Sequence, residues 1–76
     1  MREMQFKVEQ EDVIHEGEVV KVIESKLPSS YYYTIEHALG MSGNYKTLER
    51  LKTFEGKVVK VEKTPRGQYA TLQFQE

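Results

Sequence analysis

Hydrophobic and polar residues alternate near the start of the chain, where Met4, Phe6 and Val8 share one side of an extended segment. A period of two is typical of a strand with one buried face. The same alternation recurs over residues 69–75, near the other end of the chain. The pattern therefore predicts an amino-terminal strand and a closing strand, each with one face in the core and one face in water.

A seven-residue motif occurs twice in the chain. Residues 16–22 read EGEVVKV and residues 55–61 read EGKVVKV, so the two copies differ at one position. Each copy is rich in β-branched residues and is followed by a proline-containing turn and a tyrosine-bearing run, which together predict a hairpin. We therefore expect two related hairpins, over about residues 16–37 and about residues 55–75.

The repeat predicts specific positions for its residues. Gly17 and Gly56 hold equivalent places at the strand entries, so they should share one backbone geometry. Alternation within each copy then divides the apolar residues between two faces. The residues placed toward the core are Val20, Val22, Val59 and Val61, and those placed on the opposite side are Val19, Ile23, Val58 and Lys60.

The segment between the hairpins has a different period. Tyr45, Leu48 and Leu51 recur at helical spacing behind residues that can cap a helix, which predicts a helix over about residues 44–53. A helix of about ten residues is marginal alone, so this apolar stripe must pack against the sheet. Residues 38–43 contain two glycines and are interpreted as an irregular connection.

These elements predict an α+β fold in the order β-β-β-α-β-β. We expect a five-stranded antiparallel curved sheet, or a partly open small barrel, with one helix and two pseudo-repeated hairpins. The chain has 76 residues, which is enough for one small core, so residues 1–76 are expected to form a single domain.

Composition narrows the class of function. The chain has no cysteine, which excludes thiol catalysis and disulfides and favours a cytoplasmic location. No apolar stretch is long enough for a bilayer, so no membrane association is predicted. The net charge is −1, but residues 1–45 carry four basic and eight acidic groups, whereas residues 46–66 carry seven basic and three acidic groups. An interaction face and a chance distribution of surface charge both account for this asymmetry.

No group of residues in the sequence predicts catalysis, a metal or a cofactor. The two histidines, His15 and His37, lie on different predicted elements, and neither has an evident catalytic partner. The acidic residues before and at the start of the first repeat match no calcium-binding loop and are interpreted as a solvated edge. These residues are Glu9, Glu11, Asp12 and Glu16. We therefore predict that the protein is not an enzyme.

Basic and aromatic residues of the two hairpins predict a candidate binding face. If the hairpins present equivalent faces, Lys21 and Tyr32 in the first match Lys60 and Tyr69 in the second. Aromatic rings beside cations are the arrangement that binds single-stranded nucleic acid, because bases stack on the rings and phosphates meet the cations. The candidate binding face consists of Lys21, Tyr32, Lys57, Lys60, Lys63, Arg66 and Tyr69.

A protein partner is the preferred hypothesis. Val19 and Ile23 add apolar area to one sheet face, which a protein partner or a second copy of the chain could cover. An open sheet edge could also accept an added strand. The net charge and the acidic first half weigh against nucleic acid. The sequence therefore predicts a small cytoplasmic binding or regulatory accessory domain, with a protein partner or homodimer ranked above RNA.

Overall fold

The computed structural model describes residues 1–10 and 12–76 as an all-β fold. Its six strands are β1 (Arg2–Val8), β2 (Val19–Lys26), β3 (Tyr31–Ile35), β4 (Gly40–Ser42), β5 (Glu55–Thr64) and β6 (Gly67–Phe74). They pair antiparallel in the order β1-β4-β3-β2-β5-β6, and β6 pairs with β1 to close a barrel. Two short 3₁₀ turns, Glu36–Ala38 and Thr47–Glu49, lie between strands. Glu11 of the expected acidic edge lies outside the described residues.

The predicted helix over residues 44–53 is wrong, and so is the α+β class. Tyr45 forms an isolated bridge with Tyr31, and only Thr47–Glu49 makes a single 3₁₀ turn. Leu48 is 100% exposed, whereas Leu51 is 4% exposed. Three apolar residues at helical spacing do not suffice to form a helix here. The backbone of Tyr45 instead forms hydrogen bonds with Tyr31 of the barrel.

The predicted open, five-stranded sheet is also wrong, because residues 40–42 form a sixth strand. β4 pairs with β1 through Phe6 and Lys7 and with β3 through Thr34 and Ile35. A side chain at Gly40 would come within 3.2 Å of the Lys7 carbonyl oxygen, so glycine permits this close approach. The closed barrel leaves no sheet edge among the described strands, which removes the basis for strand addition.

The two repeat copies both form hairpins, β2–β3 and β5–β6, but their entries differ. Gly17 lies in a turn with φ +94°, whereas Gly56 lies within β5 opposite Val20. A register shift between Val58 and Lys60 reverses which side of β5 faces inward. Val58 is therefore fully buried, contrary to its expected outward position. The prediction that the two repeats have equivalent structures at their strand entries is therefore wrong.

The barrel core consists of inward-facing residues from the strands and one apolar residue at each end. The alternation predicted for β1 and β6 is confirmed, since Met4, Phe6, Val8, Ala70, Leu72 and Phe74 are all buried. Ile14 closes the end where β1 leads into β2, and Leu51 closes the opposite end. We call residues 43–54, which carry Leu51, the strap. The end that they cover is the strap end, and the opposite end, which contains the β5–β6 turn, is the turn end.

Candidate functional site

Five of the seven predicted face residues lie on the β5–β6 hairpin. Lys57 and Lys60 on β5 and Tyr69 on β6 point away from the core. Lys63 lies at the end of β5, and Arg66 lies in the turn that follows. The hairpin therefore carries these five residues, with Lys57, Lys60 and Tyr69 on its outer face and Lys63 in register with inward-facing Gln68.

The structure separates Tyr32 from that group and places Lys21 at its edge, on the strand that pairs with β5. Lys21 lies on β2, where its ladder partner is Glu55, and Tyr32 lies on β3 opposite Ser25. In the barrel order, β3 and β6 are three strands apart in both directions. Tyr32 and Tyr69 thus lie on opposite sides of the barrel, and the seven residues do not form one continuous surface.

A carboxylate lies beside one cation of the predicted face. The Lys60 ammonium lies 3.3 Å from the Glu62 carboxylate, and both side chains are largely exposed. Glu62 is also the ladder partner of Tyr69. An exposed ion pair of this kind contributes little to stability, but it lowers the net positive charge available to a phosphate.

Lys7 and Gln68 are neighbours of this group that the sequence interpretation missed. Lys7 on β1 lies between Tyr69 on β6 and Met41 on β4 in the ladder. Gln68 is 8% exposed and lies in phase with buried Ala70 and Leu72. That phase was the available sequence signal for an inward-facing amide. The position of Lys7 had no such signal, because it depends on barrel closure.

A continuous row of outward-facing side chains crosses the ladder. Ile23 on β2 pairs with Thr34 on β3, which pairs with Met41 on β4, which in turn pairs with Lys7 on β1. Directly paired residues on one face are close neighbours. A hollow of about 300 Å³ lies over this row and is lined by Thr34, Met41 and Lys7 among others.

The apolar residues of this row are exposed, as is Val19 on the same outer side of β2. Val19 and Ile23 on β2 are 61% and 53% exposed, and Met41 on β4 is 55% exposed. The predicted outward position of Val19 and Ile23 is confirmed, as is the burial of Val22 behind them. We call Val19, Ile23, Thr34 and Met41 the apolar outer face.

A hydrogen-bonded cluster at the strap end contains the titratable groups with the clearest pKa shifts. Arg50 binds the Glu24 carboxylate through two nitrogens, at 2.7 and 3.2 Å. The same carboxylate accepts a bond from the Tyr33 hydroxyl at 2.8 Å, and that hydroxyl accepts one from the Leu51 amide at 2.8 Å. The cluster therefore fixes the strap to β2 and β3.

The pKa shifts in this cluster follow from its contacts. The hydrogen bonds from Arg50 hold the pKa of Glu24 below its ordinary value, and the same pair raises the pKa of Arg50. Burial raises the pKa of Tyr33 and of Tyr45. Because Glu24, Tyr33 and Arg50 are hydrogen-bonded in series and Tyr33 also binds the Leu51 amide, we assign the cluster a structural role.

The Glu24–Arg50 pair predicts a pH dependence of stability. Because folding lowers the pKa of Glu24, the pair stabilises the fold fully above the ordinary glutamate pKa of about 4.3. That contribution is lost as the pH falls through the lowered pKa. Glu24→Gln should therefore flatten the acid-side decline of the free energy of unfolding, measured by urea denaturation from pH 7 to pH 3. Glu3→Gln, at an exposed position on β1, is the matched control and should leave the decline in place.

The histidines lie in surface positions with separate neighbours. The His15 ring contacts the Glu18 carboxylate at 3.0 Å, and 67% of the His15 side chain is exposed. His37 lies in the first 3₁₀ turn at φ +70° and is exposed. Among residues 1–10 and 12–76, no group of three histidine or acidic side chains is placed to hold a metal ion.

The fold and surface define a small closed antiparallel β-barrel with an exposed apolar face and a separate basic-aromatic hairpin. In comparisons with known proteins, this chain matches no family model, no curated protein and no solved structure. In the part of the chain that the structure describes, no helix has the length and hydrophobicity needed to cross a membrane.

Proposed function

We propose that this chain is a non-enzymatic binding module that contacts a protein surface, on a second copy of the chain or on a different protein, through the apolar outer face. The supporting observation is the exposure of Val19, Ile23 and Met41 on strands whose opposite side carries buried Val22 and Ser42. These apolar side chains are therefore exposed to water and are not part of the packed core. Burial of such side chains is the main favourable contribution to most protein association.

The size of the barrel allows such an interface. A standard interface covers roughly 800 Å² on each partner, and the whole chain has 5212 Å² of accessible surface. A partner would thus cover about a sixth of the molecule. Ile23, Thr34 and Met41 would lie at the centre of the contact, with Lys21 between Ile23 and Val19 on the outer side of β2 and Lys57 beside Val19.

Self-association is the first form of this proposal to test. Sedimentation of the wild-type chain over a wide concentration range should show a reversible dimer. The double substitution Ile23→Asp with Met41→Asp should weaken it at least about tenfold, since burying one apolar side chain contributes on the order of 1.5–3 kcal/mol. Leu48→Asp is the matched control, because Leu48 is fully exposed on the strap and outside the apolar outer face.

A strictly monomeric wild-type chain eliminates the homodimer. The remaining form of the proposal is then a different protein partner, tested by comparing proteins retained by the wild-type chain with those retained by the double variant. Equal retention by both, with Leu48→Asp also unchanged, would contradict a role for the apolar outer face.

Binding of single-stranded nucleic acid by the second hairpin is the second candidate. Its support is the grouping of Lys57, Lys60, Lys63, Arg66 and Tyr69 on one hairpin. The separation of Tyr32 from Tyr69 and the carboxylate beside Lys60 make it weaker than protein binding. A cytoplasmic location remains a prediction based on the absence of cysteine.

A further inference from the structure

A second hollow, of about 250 Å³, lies at the turn end of the barrel. It is bounded by the end of β1 and by the β5–β6 turn, and we call it the turn-end hollow. The side chains relevant to binding are Lys7, Glu9, Lys63, Arg66 and Gln68. It lies apart from the Val19 and Ile23 positions of the apolar outer face.

Gln68 supplies an unusual feature of this hollow. Its side chain is more than nine-tenths buried, and its carbonyl oxygen Oε1 has no hydrogen-bond partner within residues 1–10 and 12–76. Buried side-chain polar atoms in folded proteins almost always have a partner. Gln68 is one of the residues that line the hollow, and it lies between Val8 and Lys63 on the ladder, so this buried acceptor is close to the hollow. A ligand with a hydrogen-bond donor would satisfy it.

The charges around the hollow determine which donor fits. Lys7, Lys63 and Arg66 are cationic, and Glu9 is the one carboxylate on the wall in the described part of the chain. The stem of Lys7 lies against Gly67, where an added Cβ would be 3.2 Å from Lys7 Cε, so this lysine extends toward the turn. A cationic ligand would satisfy Oε1 but would be repelled by the wall. The ligand must therefore combine an anionic group with a neutral donor.

A phosphorylated sugar has that combination. Phosphate oxygens accept hydrogen bonds from lysine and arginine, and arginine can bind two of them at once. A sugar hydroxyl on the same molecule can donate to Gln68 Oε1. We propose that the turn-end hollow binds a phosphorylated sugar, with the phosphate held by Lys7 and Arg66 and a sugar hydroxyl bonded to Gln68. This chemistry occurs in free sugar phosphates and in the ribose-phosphate backbone of RNA.

The first experiment uses ribose 5-phosphate and the full chain, followed by backbone amide NMR. We expect saturable shifts around Arg66, Gly67 and Gln68, and no saturation with ribose alone. Arg66→Gln and Gln68→Leu should each weaken binding at least about tenfold, because each removes a hydrogen-bonding group of the site. Lys26→Gln is the control, since it removes one exposed positive charge at the strap end.

Two further arms distinguish the sources of the ligand. An eight-residue oligo(rU) and the matching oligo(dU) carry the same phosphates, but only the first has 2′-hydroxyls. Tighter binding of oligo(rU) than of both oligo(dU) and ribose 5-phosphate, lost in Arg66→Gln, identifies an RNA backbone. Binding of ribose 5-phosphate alone identifies a free sugar phosphate.

The proposal is overturned if neither probe binds, or if Arg66→Gln and Gln68→Leu bind as the wild-type chain does. An equal loss in Lys26→Gln also overturns it, because the effect would then be one of overall charge. Should Gln68→Leu fail to fold, Arg66→Gln in the exposed turn carries the test. None of these results depends on the apolar outer face, so this proposal and the proposed function can fail separately.

Discussion

Replacing Leu51 with alanine is expected to lower the free energy of unfolding by about 2–5 kcal/mol, whereas Leu48→Ala should change it by less than about 0.5 kcal/mol. Leu51 is 4% exposed and closes the strap end of the core, so its truncation leaves a cavity. Leu48 is fully exposed and loses no packing. Urea denaturation followed by circular dichroism measures both variants.

This pair of leucines discriminates the strap from a helix packed on the sheet. In a helix over residues 44–53, both leucines would lie on the packed stripe and both substitutions would be costly. Similar losses in the two variants would therefore contradict the strap. If Leu51→Ala does not fold, Leu51→Val gives a smaller loss that can still be compared with Leu48→Val.

Replacing Gly56 with valine is expected to destabilise the barrel by about 1–3 kcal/mol or more, although valine is otherwise favoured in strands. A Cβ at Gly56 would lie 2.8 Å from the ring of Phe74, which is fully buried and cannot move without disturbing the core. The measurement is again urea denaturation. The sign of the effect therefore depends on packing rather than on strand propensity.

Gly43→Ala is the matched control for this steric effect. A Cβ at Gly43 meets no atom within 4 Å, and Gly43 does not have a positive φ. Alanine there should be neutral or slightly stabilising, because it restricts the unfolded chain. A Gly56→Val variant as stable as the wild-type chain would show that the inner face of β5 has room beside Phe74.

Strict alternation predicted several strand faces correctly. Met4, Phe6 and Val8 on β1 are buried as expected, and Tyr33 and Ile35 on β3 share one buried face. On β1, and likewise on β3 where no face was predicted, one side meets the core and the other meets water, so burial alone determines the period. The sequence therefore identified these strands without information on their partners.

The errors occurred where distant contacts decide the structure. Residues 40–42 form a strand because β1 and β3 both pair with them, and no period can appear in three residues. Val58 and Val59 are adjacent and both apolar, so nothing local indicates where the register shift falls. The similarity of residues 16–22 and 55–61 thus predicted two hairpins but not their entries.

The candidate site was predictable only within one hairpin. Lys60, Arg66 and Tyr69 lie on the same hairpin, so local sequence grouped them. Lys7 joins them through the pairing of β1 with β6, and Tyr32 is separated from them by the same closure. Neighbouring side chains from distant strands can be identified only when the strand order is known.

The shortest strand also determines how the barrel can open. β4 joins its neighbours through two residue pairs on each side, whereas β1 and β6 share seven. Local opening of the barrel should therefore begin at β4, which has the fewest residue pairs with its neighbours. Each opening would transiently separate β4 from β1 or from β3 and expose backbone groups of two strands that can pair with another molecule. We therefore expect the three residues of β4 to limit strand pairing between molecules at this part of the barrel.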